Sequence, residues 1–372
     1  MQHTADVIVI GAGMAGASVA AELARSRTVI LLEREDRPGR HATGRSAALH
    51  SEIYGNAAIR ALTRASRDTF LAPEGAEPFV TPRDCLHIAT ADQLEALEAF
   101  AALPDVSAAV TRLDGEGARA LAPLLRPGVV VAALREHNAY DLDVDAIHQY
   151  YLRALKARGG TLVCDAEPSS LVRRDSLWVA AWGEETAVAP ILIDAAGAWG
   201  DQVAALGGVA PVGLQAMRRT IALVDLPDPV ASRDWPMVID IDEQFYFKPS
   251  SGQLLLSPAD ETPMEPHDAW ADEMDIAIAV DRILGVADLE VTRVPHSWAG
   301  LRTFAPDRTP VVGFDPAAEG FFWLVGQGGY GIQTAPAMAR LAAALAQGQP
   351  APADLLDQGL DIADLSPGRF RT

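Results

Sequence analysis

The stretch Asp6-Val-Ile-Val-Ile-Gly-Ala-Gly-Met-Ala-Gly16, continued by Thr28-Val-Ile-Leu-Leu-Glu33, sets the architecture of the whole chain. Asp6 to Ile10 is a short β-branched run and reads as a buried strand. Gly11, Gly13 and Gly16 follow in GxGxxG spacing, an apolar helical pattern runs on to Arg25, and a second apolar run ends on Glu33. A strand, glycine turn, helix, strand and acid in this order hold the ADP half of a dinucleotide. Gly11 permits the tight turn, Gly13 lets the backbone approach a pyrophosphate, and Gly16 allows close packing of helix on sheet. Met14 and Ala15 begin the helix, whose amides and positive dipole end face the phosphates. Glu33 lies 22 residues after Gly11, where a carboxylate accepts from ribose hydroxyls, and Arg34 stands beside it.

The chain has 372 residues, enough for two domains. Its formal net charge of −20 opposes binding to nucleic acid, whose phosphates it would repel. It also means that an anionic substrate group must be met by particular arginines. No apolar run reaches the ~18 residues of a membrane span. The N-terminus enters the first strand with no signal-peptide pattern, and two cysteines, Cys85 and Cys164, make no disulfide framework. A cytoplasmic location with reduced thiols is therefore expected. Eight scattered histidines show no pair at metal-ligand spacing, so no metal is expected.

Beyond Glu33, helices are expected over 57–70, 91–101, 144–158, 270–284 and 333–345, and strands at 86–89, 161–164 and 189–194. Residues 171–188 read as a hairpin or meander. Between 211 and 298 the pattern changes to short alternating strands (220–224, 237–241, 245–248, 254–257) before the 270–284 helix, as in an antiparallel sheet with a helix beside it. Glycine-rich loops then return. The fold class is α/β with an α+β second domain: a discontinuous Rossmann-like domain over 1–75, 140–210 and 298–372, interrupted by a β-rich domain over 76–139 and 211–297.

Several segments converge on one family. They are Gly11 to Gly16 with Glu33; Thr43-Gly-Arg-Ser-Ala-Ala48; Ile193-Asp-Ala-Ala-Gly-Ala-Trp199; Leu214 to Arg219; Asp242 to Pro249; His296 to Arg302; and Gly326-Gln-Gly-Gly-Tyr-Gly-Ile-Gln-Thr334. Their order and spacing resemble the glycine oxidase / D-amino acid oxidase family of FAD enzymes over essentially the whole chain, most closely its bacterial D-arginine dehydrogenase branch. The resemblance implies a glutathione-reductase-type, D-amino acid oxidase-like fold with non-covalent FAD. Residues implied at the cofactor, besides the glycine turn with Met14, Ala15, Glu33 and Arg34, are Thr43, Arg45, Ser46, Ala47, Ala48, Pro168, Ala196, Gly197, Trp199 and Arg302. Gly329, Tyr330, Gly331, Ile332, Gln333 and Thr334 would offer backbone amides near the flavin, with the last helix pointing its N-terminus there.

The implied reaction is oxidation of a D-amino acid: hydride leaves Cα for flavin N5, and the imino acid hydrolyses to a 2-oxo acid and ammonia. By similarity Arg302 forks the substrate carboxylate and Tyr246 donates to it. Arg219 matches a second arginine near the substrate head, although Arg218 beside it is an equal candidate by composition. Tyr54 sits on a possible lid hinged at Gly55. Tyr54, Met237 and Ile239 match an apolar cage, the last two sharing one strand face. Gly329, Leu49 and His50 complete the expected pocket. Where the dehydrogenase places a glutamate for the substrate guanidinium, Cys85 stands here, and Leu49 replaces a lid histidine. These changes point to a neutral or apolar D-amino acid, with Glu52 and Asp84 as the carboxylates that could substitute. A secondary-amine oxidase of the sarcosine or glycine type is the alternative, and a flavin-binding protein without turnover is the reading from another class. The expected electron acceptor is a quinone or other carrier, or O2.

Overall fold

A computed structural model describes residues 1–226 and 232–371. The opening apolar run forms the strand Val7–Ile10, buried at every position. It lies in a six-stranded sheet ordered Thr161–Val163, Val29–Leu32, Val7–Ile10, Ile191–Asp194, Phe321–Val325, Val311–Phe314. The first five strands are parallel and the last pair is antiparallel. Strands buried on both faces need apolar side chains throughout, which is why these segments read as continuous Val/Ile/Leu/Phe runs without alternation. The helices Met14–Leu23, Val144–Ala157 and Ala335–Ala346 contribute to the core over one face. The expected meander over 171–188 is a four-stranded sheet of Ser170–Arg174, Leu177–Trp182, Glu185–Ala189 and Gln2–Thr4.

The alternating segments build a ten-stranded sheet. Its central run is Gln215–Asp225, Gln253–Ser257, Tyr246–Ser250, Met237–Asp240, Cys85–Ala89 and Ala132–Glu136. The pairing is antiparallel except between Met237–Asp240 and Cys85–Ala89. Glu273–Val286 covers one face through Ala279, Ile283 and Val286. The other face carries Cys85, Met237, Ile239 and Tyr246. The strand His296–Phe304 crosses the expected boundary at 298 and pairs along its length with Gln215–Asp225. Gln327–Gly328 pairs with its end. The two large sheets are therefore joined at the place where Arg302 and the glycine-rich loop meet. No helix among the described residues is long and apolar enough to cross a membrane.

Candidate active site

The glycine turn is braced from two sides. Gly11 has φ +96°, and a Cβ there would lie 2.6 Å from the Ala195 carbonyl oxygen, so the first glycine is required by conformation and by space. A Cβ on Gly16 would sit 1.8 Å from the Gly11 oxygen. The third glycine thus serves mainly the turn folding back on its helix, and less the sheet. Glu33 is buried; its Oε2 accepts from the Ala12 amide at 2.9 Å and its Oε1 from the Glu35 amide at 3.0 Å. Each oxygen keeps a second lone pair for a ribose hydroxyl. Thr43 Oγ1 accepts from the Met14 amide at 2.9 Å, which ties the 43–48 segment to the helix start.

One cavity of about 340 Å³ runs from this turn to the residues expected at the substrate. Gly11, Gly13, Met14, Ala15, Glu33, Arg34 and Thr43 line one end, with Pro168, Ala196, Gly197 and Trp199. The Arg34 guanidinium lies 5.0 Å from the centre of the Trp199 ring and the His41 ring 4.7 Å from it. Ser46, Ala47, Gly331 and Ile332 line the middle, and Arg219, Tyr246, Arg302 and Gly329 the far end. Arg45 borders the cavity, but its guanidinium is committed to Asp268 and to the Ala269 and Ala299 carbonyls. Three residues of the last loop do not reach this cavity: Tyr330, Thr334, and Gln333, which lines only the smaller chamber beside it. The Tyr330 amide is spent on the Gln327 carbonyl at 2.9 Å, and the Thr334 amide on Tyr330 at 3.1 Å. The Tyr330 ring packs edge-on to Tyr54 and Phe304 instead.

A smaller chamber of about 60 Å³ adjoins the far end. Leu49, Tyr54, Met237, Ile239, Tyr246, Arg302 and Gly329, all expected at the substrate, line it together with Ala48 and Gln333, which were expected at the cofactor, and Arg219 borders both spaces. The adjacent arginines point to opposite faces of their strand. Arg218 faces the acids beside Glu273–Val286, with Nη2 2.7 Å from Asp275, while Arg219 is buried toward the cavity. Arg219 is already balanced, by the Asp260 carbonyl at 2.9 Å and Glu261 at 3.3 Å. Arg302 is not. Its Nη1 donates to Tyr54 Oη at 3.1 Å, and no carboxylate oxygen among the described residues lies within 4.0 Å. Its guanidinium lies against Gly329, where a Cβ would be 2.6 Å from Nη1. The Tyr246 hydroxyl is buried with no hydrogen-bond partner among the described residues, as are Nε2 of Gln327 and Nε2 of Gln333. A cationic fork without a counter-charge among the described residues, with unspent donors of Tyr246 at both spaces, Gln327 at the long cavity and Gln333 at the chamber, is the chemistry of a site built for a polar, anionic occupant.

Two expected pocket residues lie elsewhere. His50 is turned into the core: Nε2 faces the Thr63 carbonyl at 3.2 Å, its ring meets Phe70 and Tyr140 edge-on, and burial lowers its pKa to about 4. Cys85 is wholly buried on the next strand, in register with Met237 and outside the chamber lining, and burial raises its thiol pKa well above the ordinary value. Neither carboxylate proposed to substitute for the missing glutamate faces the chamber. Asp84 pairs with Arg135, and Glu52 has its carboxylate 3.5 Å from Arg67. The acid that does border the chamber is Glu243, exposed in a turn at φ +54°. A turn residue of this kind carries no periodic signal. A second missed acid, Glu136, had one: it falls on the buried phase of Ala132–Glu136 with Ala132 and Leu134. Its carboxylate, the Cys85 thiol and the His87 ring each place an atom within 4.8 Å of the others.

Comparison with known proteins agrees with this architecture. The family model described as "FAD dependent oxidoreductase" (DAO) matches residues 6–345. Glycine oxidase of Pseudomonas aeruginosa is 26% identical over 378 residues, covering 92% of this chain and 95% of that protein. The FAD-dependent oxidoreductase domain-containing protein 1 of Xenopus laevis is 27% identical over 197 residues. That match covers 49% of this chain and spans only 38% of the relative. The crystal structure of glycine oxidase from Geobacillus kaustophilus superposes with a TM-score of 0.84, covering 99% of each chain at 23% identity. The cofactor is FAD, and the residues along the long cavity suit it: the Gly11–Gly16 turn and Glu33 for its ADP half, and the Ser46–Ala47 and Gly329–Ile332 segments farther along.

Proposed function

We propose that this chain, which belongs to the DAO family of FAD-dependent oxidoreductases, catalyses oxidative deamination of a D-amino acid with a neutral or apolar side chain. The observation that carries the reading is Arg302, a guanidinium in the chamber wall with no counter-charge, beside the unpartnered Tyr246 hydroxyl. A substrate α-carboxylate supplies both missing partners, since the arginine fork binds two carboxylate oxygens and the phenol donates to one. Tyr54 accepts from Arg302 and so fixes the rotation of the fork.

Bound FAD supplies the two-electron acceptor for the hydride leaving Cα. The protein's part is positional. Arg302 and Tyr246 hold the acid end, and Met237, Ile239 and Leu49 pack the side chain and exclude water. The amine loses its proton to solvent, the C–H bond yields its electron pair, and the imino acid takes up water to give the 2-oxo acid and ammonia. A quinone or other carrier, with O2 as the alternative, would take the two electrons that FAD accepts. The side-chain preference rests on the chamber wall, whose bordering carboxylate, Glu243, lies at the exposed rim. Neither Cys85 nor Cys164 lines the cavity, which supports non-covalent FAD.

One observation favours a second reading, the secondary-amine or glycine type. The chamber is small, at about 60 Å³, and the full-length relative above is a glycine oxidase. A single panel separates the two: anaerobic reduction of the flavin by D-leucine, D-methionine, D-phenylalanine, D-arginine, glycine, sarcosine and the L-enantiomers, followed by air. Fastest bleaching by the neutral D-amino acids is expected. D-Arginine faster than these by tenfold refutes the side-chain assignment, and sarcosine or glycine fastest establishes the second reading. Bleaching by none of them refutes both.

A further inference from the structure

We propose that Glu136 is a positioning residue, a buried tether that holds the 51–54 segment on the ten-stranded sheet and thereby keeps Tyr54 at Arg302. Glu136 ends the strand Ala132–Glu136, is 0% exposed and borders neither cavity, so it meets no ligand directly. A carboxyl on the apolar phase of a strand persists only if its oxygens are satisfied. Both are satisfied from one short segment: Ser51 Oγ donates to Oε2 at 2.7 Å, and the Glu52 amide to Oε1 at 2.8 Å. The Ser51 amide also donates to Gln333 Oε1 at 3.3 Å, beside the start of the last helix. Two residues after Glu52, the Tyr54 hydroxyl accepts from Arg302.

Other contacts hold the segment's side chains and its far end: Ile53 is buried, the Tyr54 ring packs edge-on to Tyr330, and Arg60 Nη1 donates to the Gly55 carbonyl at 2.6 Å; the two bonds to Glu136 are what tie Ser51 and the Glu52 amide to the ten-stranded sheet. Behind the segment the two-residue strand Leu49–His50 is paired with Tyr140–Leu142, and ahead of it Asn56 caps the helix Ala57–Leu71 through the Ile59 amide. Gly55, at φ +88°, joins the two. Without Glu136, Ser51 and the Glu52 amide would be buried without an acceptor, and the segment would move to find water. Tyr54 would leave with it, and the Arg302 fork would lose the contact that sets its rotation. The chemistry of Arg302 is that of the proposed carboxylate site, but the tether itself requires no particular substrate.

The test uses full-length, FAD-loaded wild type, Glu136→Ala, Glu136→Gln and Ser51→Ala. Hydrogen–deuterium exchange of peptides covering 50–56 reads the tether directly. Propionate, an unreactive carboxylate followed through the visible flavin spectrum, reads its consequence. Glu136→Ala is expected to exchange faster over 50–56 and to bind propionate about 10- to 100-fold more weakly. With the best substrate of the panel, KM should rise more than kcat falls. Glu136→Gln keeps an acceptor for the Glu52 amide and a polar partner for Ser51, and should stay within about threefold of wild type in binding. Unchanged exchange and unchanged binding in Glu136→Ala would overturn the proposal, as would a Glu136→Gln protein as impaired as Glu136→Ala. Should Glu136→Ala fail to fold, Ser51→Ala decides, because it removes one of the two bonds and leaves the acid bound to the Glu52 amide. Its exchange must then rise. A wild type that shows the tether but is bleached by no amino acid or amine refutes the proposed activity and leaves the tether standing.

Discussion

Arg302 donates to the Tyr54 hydroxyl at 3.1 Å across 248 residues of sequence, and this neutral phenol is its one hydrogen-bond partner among the described residues. A charged fork held half-buried by a phenol is stable enough to fold and is improved by an anion. Replacing Arg302 by Ala removes the cation that meets the substrate carboxylate, at about 2–5 kcal/mol of transition-state binding. Catalytic efficiency should fall roughly 30-fold to several thousand-fold. Arg302→Lys, which keeps the charge and loses the fork, should fall between. Steady-state kinetics of FAD-loaded protein are the check, and an Arg302→Ala enzyme within threefold of wild type would refute the assignment.

Tyr246→Phe separates function from stability. The hydroxyl has no partner to lose, so the melting temperature should hold or rise slightly. Affinity for the substrate carboxylate should drop by about 10- to 150-fold, the value of one hydrogen bond to a charged group. A large loss of stability with unchanged KM would assign the hydroxyl to the fold.

Two glycine substitutions should fail in different ways. At Gly11, alanine meets a positive φ and the Ala195 backbone together, so the Gly11→Ala protein should lose FAD. At Gly329 the new methyl meets the Arg302 guanidinium, 2.6 Å from Nη1, with no conformational strain. Gly329→Ala should retain FAD while turnover falls by roughly 5- to 150-fold, the cost of about 1–3 kcal/mol of overpacking. Flavin content per chain, read beside kcat/KM, distinguishes them.

Stability against pH carries two opposed signatures. Burial raises the Glu136 pKa from an ordinary 4.5 to about 7, against the Ser51 hydroxyl and the Glu52 and Ile53 amides, which lower it. The folded state therefore binds more protons than the unfolded one between these values, and the contribution of Glu136 is lost as pH rises from about 4.5 to 7. Burial lowers His50 and His87 from 6.5 to about 4, so their contribution is present above 6.5 and lost as pH falls toward 4. Each window is worth on the order of 3 kcal/mol at most. The melting temperature of Glu136→Gln relative to wild type should rise between pH 5 and pH 8. A pH-independent difference would show that Glu136 does not titrate in this window.

The nucleotide half of the fold was legible because buried parallel strands and the glycine turn leave unbroken apolar runs and fixed spacings. Arg302, Tyr246, Met237 and Ile239 came from resemblance, and strand alternation then placed the last two on one face. What failed was local. His50 and Leu49 are neighbours on a two-residue strand, and only tertiary packing decides which one faces the chamber. Asp84 and Glu52 were candidates by proximity, yet Arg135 and Arg67 claim them. Arg218 and Arg219 alternate across their strand, but which of them faces the cavity shows only once Asp275 on the covering helix claims Arg218.

The strand Phe321–Val325 enters the six-stranded sheet between Ile191–Asp194 and Val311–Phe314, and so closes a layer that the first residues of the chain began. The far end of the cavity takes its wall from Arg219, Tyr246 and Arg302 and from Gly329, in the loop that follows this strand, while the glycine turn stands at the opposite end. Flavin retention therefore depends on segments far apart in sequence, and a cut that frees the Gly329 loop from the Gly11 turn should release the colour from the protein.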